Sequence, residues 1–120
     1  ELASSYAQLG DTYYELQDYE NARDEYEKAA RFAPTYVDIR LKLAKTYLQL
    51  ARYDGAENLL LDILRQNNGY LEARTTLGLC YYRQHRLDAA TREWQVVLSM
   101  DPVNTKARSY LNMLKEKQHG

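Results

Sequence analysis

Apolar side chains along this chain recur at helical spacing, and the pattern restarts several times. Tyr6, Leu9, Gly10, Tyr13 and Leu16 fall at i, i+3, i+4, i+7 and i+10, the stripe of one helix. Tyr19, Ala22, Tyr26, Ala29 and Ala30 form a second stripe. Pro34 closes it, because the residue before a proline is pushed out of the α region. The design returns with Leu43, Ala44, Tyr47 and Leu50, then Tyr53, Ala56, Leu60, Ile63 and Leu64. Asn68-Gly69 ends that pair, with Gly69 expected at positive φ. A third pair uses Leu77, Gly78 and Tyr81, then Leu87, Ala90, Trp94, Val97 and Leu98, closed by Asp101-Pro102. Asn104 is placed to cap a last helix over residues 105–118, with Tyr110, Leu111, Met113 and Leu114 apolar and its end polar.

The restarts share one period. Leu9, Leu43 and Leu77 are 34 residues apart, as are Tyr13, Tyr47 and Tyr81, and Ala22, Ala56 and Ala90. A helix pair of this length cannot bury its own apolar face, so successive copies must stack. The expected fold is therefore all-α: repeats over residues 3–36, 37–70 and 71–104, then a seventh helix covering the last face. Gly10, Ala44 and Gly78 mark places where two helices approach closely, faced by Ala22, Ala56 and Ala90. Leu9, Tyr13, Ala22 and their echoes are assigned to the core, and the tyrosines and Trp94 to the spaces between pairs.

These residues resemble the tetratricopeptide repeat, whose pattern sets an aromatic, Leu-Gly, Tyr, Ala, an aromatic, Ala and Pro within 34 residues. The first repeat matches throughout with Tyr6, Leu9-Gly10, Tyr13, Ala22, Tyr26, Ala29 and Pro34. The third departs at Arg74 and Val97, and the second is looser, with Arg40, Leu60, Ile63 and Asn68 at pattern positions. The resemblance implies one α-solenoid array over residues 1–120, a right-handed superhelix whose first helices line a concave groove. Once the core stripe is assigned, the phase left over points Ala7, Asp11, Tyr14 and Glu15 into that groove. Leu41, Lys45, Leu48 and Gln49 follow from the second repeat, and Thr75, Leu79, Tyr82 and Arg83 from the third. Ser109, Tyr110 and Met113 come from the last helix. Tyr14, Leu48 and Tyr82 share one phase, with Leu41 and Leu79 beside them, and this apolar ladder is expected to face water. Some family members clamp the carboxylate end of chaperone tails. The matching positions here are Ala7, Asp11, Lys42, Glu72 and Thr76; one is cationic and two are acidic, which argues against such a tail.

Composition changes this picture little. The net charge of −1 supplies no overall field for nucleic acid or an anionic membrane. The charge is unevenly placed, because residues 1–30 hold eight acidic and two basic side chains. That asymmetry reads first as solvated helix faces, and second as a bias toward head-to-tail contact between molecules. Twelve tyrosines suit a thin stack with buried rings and wet hydroxyls. The single cysteine precludes an internal disulfide and fits a reducing, cytoplasmic setting. No apolar run approaches a membrane span, and the chain opens on Glu1 with helical sequence at once, which reads as a piece of a longer protein.

Catalytic chemistry finds no constellation. Cys80 falls on the buried side of a helix, where a structural thiol is expected rather than a nucleophile. His85 sits in a turn and His119 in the tail, too scattered with one Cys for zinc. Asp18, Glu20, Asp24 and Glu27 read as a helix start and outer face, not a pair held in a cleft. Arg83 and Arg86 beside Tyr81 and Tyr82 mix charge and aromaticity, but Tyr81 is a core position. The expected function is a non-catalytic protein-interaction module without cofactor or metal, holding a partner's peptide or amphipathic helix in its groove. Self-association through repeat stacking, or a regulatory role within a larger enzyme, are the alternatives.

Overall fold

The computed structural model describes residues 1–119, with side chains through Lys117. Among the described residues there are seven α-helices and no strand: α1 (Leu2–Glu15), α2 (Tyr19–Phe32), α3 (Val37–Gln49), α4 (Tyr53–Gln66), α5 (Leu71–Arg83), α6 (Leu87–Met100) and α7 (Thr105–His119). They form two compact units. The first runs Glu1–Leu59 and the second begins at Leu60, so α4 contributes half of its length to each.

In the first unit, α1 packs on α2 and α2 on α3. Small residues make this possible. Ala3, Ala7, Ala29 and Ile39 form one buried cluster, and Ala22, Tyr26 and Leu43 form another, flanked by Tyr13, Tyr14, Tyr47 and Leu59. Gly10 is where α1 meets the Tyr26 ring: a Cβ built there would lie 2.6 Å from the Tyr26 Cε1 atom. Tyr47 of α3 donates its hydroxyl proton to Glu27 of α2 at 2.5 Å, and Arg52 reaches Glu20 at 3.0 Å.

In the second unit α5 packs on α6 and α6 on α7. Trp94 is fully buried, and its indole Nε1 donates to the Thr75 carbonyl at 3.0 Å. Tyr110 of α7 lies against it, with ring centroids 4.8 Å apart. Gly78 sits under the same indole, and a Cβ there would come within 2.7 Å of Cε2. Arg74, a departure from the repeat pattern, bridges α5 to α6 through Glu93 at 2.8 Å and also reaches the Asn68 side chain at 2.6 Å. Cys80 is buried, as its helix face suggested. Asn104 caps α7 by accepting from the Ala107 amide at 2.9 Å. The His119 imidazole lies outside the described side chains.

Three expectations are corrected. Leu9 and Leu16 are not core: they are 43% and 71% exposed, because α1 turns Ala3, Ala7 and Gly10 inward instead. Gly69 does not take positive φ; the left-handed residues are Gln17 (φ 63), Ala51 (φ 58) and His85 (φ 61), again 34 residues apart. Each ends the first helix of a pair. The next amide then donates back to the Tyr13, Tyr47 or Tyr81 carbonyl at 2.9 Å, a six-to-one closure that satisfies a helix-end acceptor. The third correction concerns water exposure of the apolar ladder. Leu41 and Leu48, expected to face solvent, are each 3% exposed.

Gly78→Ala should destabilise the second unit. Helix propensity favours alanine by about 1 kcal/mol, but the new methyl must displace a rigid, hydrogen-bonded indole, an overpacking cost of about 1–3 kcal/mol. Urea titration should show a lower midpoint, and an unchanged one would refute the contact. Ala51→Gly removes the left-handed strain and should stabilise by up to about 1 kcal/mol in the same assay. A loss of stability would show that this turn carries no strain.

Burial and its hydrogen bond to Glu27 push the Tyr47 phenol from 10.0 up to about 12. The folded chain thus holds this proton more tightly than the unfolded chain does. The associated stability is complete below pH 10 and is lost as pH rises through about 12. Melting curves over that interval should fall in the native chain and fall less in Tyr47→Phe. Parallel curves would remove Tyr47 as the source.

Candidate functional site

Three helices of the first unit converge on one open pocket of about 360 Å³, lined by Asp11, Tyr14, Glu15, Tyr26, Lys42 and Lys45. The geometry follows from the packing just described. Tyr26 lays its ring over Gly10, which carries the hydroxyl beyond α1 to the Asp11 carboxylate, to which it donates. From α3, Lys42 Nζ donates to the other Asp11 oxygen at 3.1 Å and stands 3.6 Å from Asp38. Gln49 donates to the Tyr14 hydroxyl at 3.3 Å, and the Tyr14 ring meets Tyr19 edge-on with centroids 5.1 Å apart.

The electrostatics are those of a compensated cluster. Burial, then the hydrogen bond to Asp11, drive the Tyr26 phenol far above its ordinary pKa, so it remains a neutral donor. Burial opposes the charge on Lys42, but its hydrogen bond to Asp11 and the charges of Asp11 and Asp38 outweigh that, and its pKa rises. The cluster is therefore a fixed array of paired charges beside an aromatic wall.

Of the expected groove residues in this unit, Asp11, Tyr14, Glu15 and Lys45 line the pocket and Gln49 is exposed beside Tyr14. Ala7, Leu41 and Leu48 are buried. Periodicity could not detect this, since it reports angle around a helix axis and not what covers each face. Tyr26 and Lys42 had not been placed in the groove. Tyr26 reads as core by its period and is core by its ring; only its hydroxyl reaches the site. Lys42 enters through its contact with Asp11, 31 positions away; periodicity carries no signal for it, and only the resemblance had marked both as clamp positions.

In the second unit, Thr75 is buried, its hydroxyl bonded to the Leu71 carbonyl at 2.9 Å and its own carbonyl taken by Trp94. Leu79, Tyr82, Arg83, Tyr110 and Met113 are half-buried. Tyr82 lies 6.3 Å from the Trp94 ring, and Lys117 of α7 donates to its hydroxyl while its ammonium stands 4.8 Å from the Tyr82 ring centroid. Of the clamp positions, Ala7 is buried, Asp11 and Lys42 pair with each other, and Thr76 is buried with its hydroxyl on the Glu72 carbonyl at 2.7 Å. Among the described residues, no group of His, Cys, Asp and Glu is arranged to hold a metal ion, and no helix is long and apolar enough to cross a membrane.

Residues 13–69 match the family profile described as tetratricopeptide repeat. No curated protein matches the sequence. Solved structures do match it. The first tetratricopeptide domain of Spaghetti (RPAP3), bound to the HSP90 peptide SRMEEVD, superposes with a TM-score of 0.86 at 22% identity, covering 99% of this chain and 94% of that one. The second such domain of human RPAP3, in complex with the HSP70 peptide SGPTIEEVD, gives 0.83 at 22% identity, with 95% of each chain covered. The tetratricopeptide domain of Arabidopsis OM64 gives 0.87 at 17% identity over 98% of this chain and 97% of that one. At such identities the likeness is one of fold, an all-α helical-repeat solenoid. Residues 13–69 thus match the tetratricopeptide repeat family, and the chain shares the helical-repeat fold of its solved members.

Proposed function

We propose that this chain is a non-catalytic protein-interaction module, and that the pocket between α1, α2 and α3 receives a segment of a partner protein. The observation that carries this reading is the open pocket of Asp11, Tyr14, Glu15, Tyr26, Lys42 and Lys45, in which aromatic surface adjoins prepaid polar contacts. Charges already paired lose little on desolvation, and a rigid tyrosine supplies contact area at low entropic cost. That two domains of the same fold hold the peptides SRMEEVD and SGPTIEEVD supports a peptide as the ligand class.

The preferred segment differs from those acidic tails. Asp11 and Asp38 already neutralise Lys42, and Ala7 offers neither charge nor access. A second carboxylate at that point would meet the repulsion of Asp11. The fitting ligand is mostly apolar and places an aliphatic or aromatic anchor against Tyr14. Leu79, Tyr82, Arg83, Tyr110 and Met113 of the second unit are proposed as further contact residues, on the phase argument alone.

A displayed random-peptide library selected on the intact chain should enrich such anchors. For an enriched peptide, Tyr14→Ala should weaken binding by at least about tenfold, the loss typical of a truncated aromatic hot spot, with helix content unchanged. Enrichment of peptides that bind Tyr14→Ala as tightly as the native chain would overturn the site, and the absence of any enriched peptide would overturn the function.

A further inference from the structure

Leu2, Leu9 and Leu16 recur every seven residues on α1 and its C-cap, and all three are exposed. A seven-residue step drifts only about 20° around a helix, so they form one stripe. Tyr6 borders the stripe, stacked on the exposed Phe32 with ring centroids 5.6 Å apart. Glu1, Gln8 and Glu15 run parallel to it, each one residue earlier and each exposed. The helix carries no basic residue.

What such a leucine needs is visible elsewhere in the chain. Leu43 and Leu77, its echoes, are 5% and 1% exposed, against 43% for Leu9. Leu43 is covered by Ala22 and Tyr26 of a preceding helix. The fourth echo, Leu111 on α7, is half-buried and lines an open groove between α6 and α7. Leu98 and Leu114 are its other apolar residues, between Thr91, Gln95 and Asn112; Arg108 and Lys115 supply its cations, and Asp88 its one acid. Helix α7 holds Lys106, Arg108, Lys115 and Lys117 against the single acid Glu116.

We infer that the leucine stripe of α1 docks into the α6–α7 groove of a second copy of this chain, giving head-to-tail association. The two faces match in kind, a leucine ridge entering a groove that carries Leu98, Leu111 and Leu114 among polar side chains. They also match in sign: the row of Glu1 and Glu15 beside the ridge meets the Arg108 and Lys115 side of the groove. Like-signed faces, as in α1 against α1 or α7 against α7, are disfavoured by the same charges. The contact uses Leu9 and Leu111, the two members of the series that the chain's own packing leaves least covered.

Sedimentation equilibrium of the intact chain, from micromolar to millimolar concentration, tests this. The weight-average mass should climb past the monomer with concentration, and climb less in high salt. Leu9→Asp, at an exposed position that leaves the fold intact by circular dichroism, should weaken association by at least about tenfold. Glu15→Lys and Lys115→Glu should each weaken it, and the double charge swap within one chain should restore it. A monomer throughout the range overturns the proposal. So does association that survives Leu9→Asp, or a double swap no better than either single variant, since the contact would then lie elsewhere. Peptide binding at the α1–α3 pocket is read by a separate assay, so either result stands without the other.

Discussion

An aromatic ring seated on a glycine is the contact on which most of this structure depends. Tyr26 rests on Gly10 and Trp94 on Gly78, at distances that leave no room for a methyl group. Two helices joined by a short turn can bury a large ring between them only if one helix offers bare backbone at the crossing. The ring is then buried between the helices, and the glycine surrenders helix propensity to admit it. In the second unit the arrangement is also polar, because the indole proton satisfies the Thr75 carbonyl.

The turns follow from this closeness. A helix that must reverse at once into its partner ends in a left-handed residue, and here Gln17, Ala51 and His85 take that conformation although none is glycine. The carbonyls that receive the closing bond belong to Tyr13, Tyr47 and Tyr81. The repeated tyrosine is thus both a packing side chain and the position at which the first helix is closed off. Strain at three positions is tolerated because the packing of each pair over-determines the turn.

The same ring geometry produces the candidate site. Because Tyr26 is long and its ring is pinned at Gly10, its hydroxyl reaches Asp11, and Asp11 in turn holds Lys42 from α3. Core and site share one side chain, apolar at its base and polar at its tip. Disturbance of the ring would therefore be felt as lost stability and as lost recognition together. Leu9, by contrast, takes no part in the core and is available to an outside surface.

Helix number, the pairing of α1 with α2 and of α5 with α6, and the close approach at Gly10 and Gly78 were legible in the chain, because they depend on local periodicity and on residue size. Asn104 as a cap and Cys80 as a buried thiol were legible for the same reason. What faces those glycines was not legible, since Tyr26 and Trp94 meet them where Ala22 and Ala90 were expected. Exposure was not. Leu9 and Leu43 occupy the same place in the 34-residue pattern, yet one meets water and the other meets Ala22 and Tyr26. A period states where a side chain points around its own helix; only the packed structure states what stands opposite. For that reason Leu41 and Leu48 moved from surface to interior, and Lys42, brought to Asp11 by the meeting of α1 and α3, came into the site. The sequence by itself determined the repeat and its local geometry. The tertiary structure decided which faces were covered, since coverage is set by contacts between residues far apart along the chain.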